Sequence, residues 1–96
     1  MYEKERRRMT MEETFALAAF RSRQQVFRFD SALRRNGIAA TIISTPREIQ
    51  VGCGLSIQLD MKDAQKAMEV YRRNNPGNLI GFYRFTPSAR SRISPL

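Results

Sequence analysis

Apolar and polar residues alternate through the middle of the chain. Ile49, Val51, Cys53, Leu55, Ile57 and Leu59 interleave with Glu48, Gln50, Gly52, Gly54, Ser56, Gln58 and Asp60, the period of a strand with one buried face. This predicts β structure from Ile49 to Leu59, with Cys53 on the apolar side. Phe15, Leu17 and Ala19 alternate with Thr14, Ala16 and Ala18 in a short apolar stretch that ends at Arg21, a buried first strand. Ile38 to Thr45 is rich in β-formers (Thr41, Ile42, Ile43), and Pro46 ends it because it has no N–H for a ladder. Leu79 to Phe85 predicts a final aromatic strand.

Two segments change to the helical period. Val26, Phe29 and Leu33, with Ala32 beside them, form one apolar stripe. Ser22 stands where its hydroxyl can cap the first turn, and Gly37 supplies the left-handed stop. Phe27 falls outside the stripe, either as a partner contact or as a tolerated exposed residue. In the second helix Ala64, Ala67, Met68 and Tyr71 recur at helical spacing, with Asp60 as the expected N-cap. Lys62, Lys66, Glu69 and Arg73 fall on its wet face, and Asn74-Asn75-Pro76-Gly77 breaks it.

The resulting order, β-α-β-β-α-β, predicts an α+β ferredoxin-like domain. Its sheet has four antiparallel strands, and right-handed crossovers put both helices on one face. The domain spans 14–86, between a flexible basic lead-in over 1–13 and a flexible tail over 87–96.

Composition narrows the chemistry. The 96 residues suit one domain. There is one cysteine and no histidine, so an internal disulfide and a Cys–His nucleophilic pair are both excluded. No zinc-type ligand set, glycine-rich phosphate loop or acid/base carboxylate pair occurs, so the expectation is no metal and no cofactor. No stretch approaches the roughly 20 apolar residues of a membrane span, and the apolar run after Glu12 and Glu13 is too short for an export signal. The expected location is the cytoplasm. The net charge is +8, and within 14–86 eleven basic residues stand against five acids, which favours anionic partners.

The segment that carries chemistry is Pro46-Arg47-Glu48-Ile49-Gln50-Val51-Gly52-Cys53-Gly54. Glycine costs a strand entropy and packing, so Gly52 and Gly54 around the lone cysteine mark a bulge, a bend or a close approach. An attachment thiol needs such room, and the flanking amides could turn toward its anion. Arg47 would favour a thiolate by its charge, or grip an acidic partner or anionic substrate. On the other reading the alternation is unbroken and Cys53 is an inert buried thiol.

The pairing of Pro46-Arg47 with Cys53-Gly54 resembles the signature of the Putative Se/S carrier protein-like family. The similarity extends from Phe15 to Phe85 and includes Gly37-Ile38. The family often has a serine shortly after its Pro-Arg, where this chain has Gln50. The resemblance implies a carrier or accessory protein more than an independent enzyme. A cysteine desulfurase or another donor would load sulfur or selenium on Cys53 as a persulfide or selenosulfide. An acceptor protein would then remove it. Such a carrier needs no histidine base. The rival expectation is a basic nucleic-acid-binding or protein-interaction module with a structural cysteine, including a homodimer through the uncovered sheet face. Against RNA binding, the strand around Cys53 carries no stacking aromatic.

Overall fold

The computed structural model describes residues 14–49, 52–74, 79–86 and 92–96. The expectations for the 1–13 lead-in, for Gln50 and for the Asn75-Pro76-Gly77 turn lie outside them.

β1 (Phe15–Phe20) pairs on both edges at the centre of the sheet, and from Ala16 to Phe20 it is buried on both faces by an apolar cluster on each side. α1 (Arg23–Arg35) follows, burying Val26, Phe29, Ala32 and Leu33, the stripe that its period predicts. Arg34 and Arg35 in its last turn suit the negative end of the helix dipole. Gly37 terminates it with φ +76°. Ser22 does occupy the N-cap, but its hydroxyl makes no capping bond; its carbonyl accepts from Gln25 and Val26 instead.

β2 (Thr41–Ser44) and β3 (Leu55–Asp60) pair antiparallel, with Ile42 opposite Ile57. A 3₁₀ turn (Met61–Asp63) leads into α2 (Ala64–Asn74), which buries Ala64, Ala67 and Val70. Asp60 ends β3 with no side-chain capping bond, so the turn takes the place of the expected cap. β4 (Leu79–Thr86) returns beside β1, and β5 (Arg92–Pro95) pairs with β4.

The protein is therefore α+β, with two helices and a five-stranded sheet in the order β2-β3-β1-β4-β5, every neighbouring pair antiparallel. The fifth strand corrects the expected four and takes up part of the segment expected to be a flexible tail. Ile93, opposite Phe85, is its apolar foothold, and the Leu96 amide donates to the Phe82 carbonyl at 2.9 Å. Pro95 is tolerable because β5 is an edge strand.

Each face of the sheet holds its own apolar cluster. Ala16, Ala18, Phe20, Ile57 and Leu59 pack under both helices, and Leu17 and Ala19 cluster on the opposite face with Ile49, Ile43, Ile80, Tyr83 and Phe85. Beneath the helices Phe29 meets Phe20 at 5.5 Å, Tyr71 at 5.9 Å and Phe82 at 6.2 Å between ring centroids. Such pairs contribute about 0.5–1.5 kcal/mol each beyond their burial. The rings fix the C-terminal end of β1, and that end positions the cysteine. Among the described residues, no helix is long and apolar enough to cross a membrane.

Candidate functional site

The predicted strand from Ile49 to Leu59 is broken. β3 begins only at Leu55, since Gly52 (φ +102°) and Gly54 (φ +91°) take backbone conformations that side chains with a Cβ resist. Upstream, Pro46, Arg47, Glu48 and Ile49 form a turn closed by the Ile49 amide donating to the Pro46 carbonyl at 2.9 Å. The Thr45 amide donates to the Gly54 carbonyl at 2.9 Å, one step beyond the Ser44–Leu55 pair that ends the β2–β3 ladder. Pro46 and Cys53 thus stand at the two sides of a loop neck. Pro46-Arg47 lies where the chain leaves the ladder and Cys53-Gly54 where it returns.

The loop also changes faces. Ile49, only 8% exposed, packs with Leu17 and Ala19 on the face away from the helices. Cys53 packs against the cluster beneath the helices. Between them the chain passes the end of β1 at Gly52, where a Cβ would lie 2.6 Å from the Phe20 carbonyl oxygen and 2.7 Å from Ile80 Cδ1. Glycine is required there by contact as well as by φ. Ile80 is in place because the β1–β4 register shifts between Ala19, opposite Gly81, and Phe20, opposite Leu79. This bulge lets Leu79 and Phe82, three residues apart, both face the helices while Ile80 points to the other side.

Cys53 is half-buried. Its amide donates to the Phe20 carbonyl at 3.2 Å, continuing the line of β3 along β1. The thiol reaches the Leu55 carbonyl at 3.8 Å, a long contact from a weak donor. The alternation was right about the side to which Cys53 belongs, and the glycines were right about the interruption.

Arg47 and Glu48 are both exposed in the turn. Among the described residues, no hydrogen bond or ion pair joins Arg47 to Cys53 or to Glu48. Topology brings Arg47 to the loop that presents the thiol, and its guanidinium is available to another molecule.

Three contributors to the site were not foreseen. The Phe20 carbonyl anchors Cys53, and its only sequence signal was the glycine opposite it. Thr45 Oγ1 and Ser56 Oγ share a hydrogen bond of 2.7 Å, and Ser56 is fully buried. Facing hydroxyls on either side of the loop were the available signal, since diagonal partners across an antiparallel pair lie within reach. Ile49 was expected to open a strand, and it fastens the loop to the sheet instead.

The fold and site define a small α+β protein that presents one cysteine at a glycine-bounded loop neck. A family model described as Putative Se/S carrier protein-like matches residues 15–81, a span that runs from β1 through the loop and into β4. The chain belongs to this family. Neither the curated proteins nor the solved structures contain a match.

Proposed function

We propose that the protein carries sulfur or selenium on Cys53 and passes the atom between partner enzymes. One observation carries the reading: the cysteine is half-buried, not enclosed, between two glycines of positive φ at the loop neck, in a chain of the Se/S carrier protein-like family. The frame is read as a ferredoxin-like βαββαβ unit extended by β5. The β2-β3-β1-β4 order and the packing of both helices on one face support this.

In the transfer, the Cys53 thiolate attacks the outer sulfur of a donor persulfide, such as that of a cysteine desulfurase. The donor's S–S bond breaks, its own thiolate leaves, and a new S–S bond forms on Cys53 with no net oxidation. An acceptor thiolate repeats the exchange and releases Cys53. Selenium in the outer position follows the same course through a selenosulfide. The protein's tasks are to present the sulfur, to keep the thiol from being buried, and to dock. Arg47, exposed in the same loop, meets an acidic rim on the donor or acceptor. Cytoplasmic residence belongs to this reading, since a reducing compartment keeps a single thiol free.

Incubation with a desulfurase and cysteine, followed by mass spectrometry of the intact and digested protein, tests it. The expected result is a gain of one sulfur on the peptide containing Cys53 and none in Cys53→Ser. Equal loading of Cys53→Ser, or loading of wild type only after denaturation, overturns it.

A further inference from the structure

The outer face of α1 carries a second feature, made of residues apart from the cysteine loop. Phe27 is 52% exposed. It lies in a shallow groove of about 410 Å³ together with Gln24, Arg28, Ser31 and Arg35. Arg28 and Arg35 also border a smaller cleft toward α2, with Ala32 and Asn74. They are seven residues apart, two turns or about 10.5 Å along the helix. The only acid in α1 is Asp30, which already holds Arg34 at 2.9 Å. Arg23, Arg28 and Arg35 are exposed and have no ion-pair partner among the described residues.

We propose that this face docks an acidic helical segment of a partner protein, with Phe27 as the apolar anchor and Arg28 and Arg35 as the carboxylate clamps. Carboxylates two turns apart on a partner helix match the spacing of the two arginines, and an apolar residue beside the carboxylate on Arg28, outside the pair, meets Phe27. Interfaces favour this composition, an aromatic with arginines around it. A nucleic acid fits less well, because single strands bind on successive aromatics along a groove and this groove offers one ring. A second copy of the chain fits less well still: its own α1 would set arginine against arginine in a protein of net charge +8. The proposal is independent of the carrier reading and holds whether or not Cys53 is ever loaded.

The test is a titration of the ¹⁵N-labelled full chain, followed by amide shifts, with three probes. These are a designed helical peptide with Glu residues two turns apart and a Leu flanking the pair on one side, the same peptide with Gln in place of Glu, and a short single-stranded RNA. The expected result is saturable shifts within Gln24–Arg35 for the acidic peptide, weakened by salt and at least several-fold smaller in affinity for the Gln peptide. Phe27→Ala and Arg28→Gln/Arg35→Gln each weaken binding roughly tenfold, and Cys53→Ser leaves it unchanged. Both sets of substitutions are on the helix surface, and the amide spectrum of each variant confirms its fold. Shifts that are absent or lie elsewhere, unchanged affinity in Phe27→Ala, or tighter binding of the RNA at the same residues would overturn the proposal.

Discussion

An alanine at Gly52 and an alanine at Gly54 would meet different surroundings although both glycines have positive φ. At Gly54 nothing lies within 4 Å of the added Cβ, so the cost is backbone strain alone, about 1–3 kcal/mol. At Gly52 the same strain is joined by a clash with the Phe20 carbonyl oxygen. That oxygen belongs to a backbone held in the central strand and cannot step aside as a side-chain tip would. Gly52→Ala therefore lowers the melting temperature more than Gly54→Ala and loosens Cys53 from Phe20. Thermal unfolding of the two variants measures the difference, and equal losses would mean that Gly52 does not pass close to β1. At this scale the sequence was informative, because two glycines around one cysteine announced a bend. The identity of the anchoring carbonyl, thirty-odd residues upstream, was not legible: every residue has a carbonyl, and only the fold selects one.

Among the elements, β3 shows how a correct period can mislead. The alternation from Ile49 to Leu59 satisfies the strand rule, but Ile49 and Leu59 bury against opposite faces of the sheet. One uninterrupted strand would bury both on the same face. The two helices were legible because an apolar stripe at helical spacing has few other uses, and β1 because its apolar run stops at Arg21. β5 was missed because one apolar residue, Ile93, carries no period, and its pairing depends on Phe85 already being in place. At the base of the loop, the Thr45–Ser56 hydroxyl pair fixes where β2 and β3 part. Thr45→Val keeps the shape but leaves a fully buried Ser56 hydroxyl without its partner, which costs about 1–3 kcal/mol. Thr45→Val/Ser56→Ala removes both ends of the bond and is expected to cost less than the two single changes added together. Urea denaturation of the three variants checks this, and strict additivity would show that the pair is not coupled.

For the whole molecule, the accessibility of one sulfur depends on how the core holds the end of β1. Cys53 hangs from the Phe20 carbonyl, and the Phe20 ring lies 5.5 Å from that of Phe29, which is fully buried. Phe29→Ala empties the centre of the aromatic cluster at a cost of about 3–5 kcal/mol, a large part of the roughly 5–15 kcal/mol that a domain commonly has. Two kinds of access to the thiol can then be distinguished by their response to denaturant. Access through the native loop has a labelling rate that hardly changes at low urea, whereas access through global unfolding speeds up steeply as stability falls. Cys53 is half-buried and its thiol has only a long contact to the Leu55 carbonyl, so the wild type is expected in the first class. A thiol reagent is expected to modify native protein promptly, with a nearly flat urea dependence below the unfolding transition. Phe29→Ala adds the second route, so its labelling becomes faster and its urea dependence steep. Slow labelling of the wild type that follows its unfolding rate would make Cys53 a packing residue, and the carrier reading would fall with it.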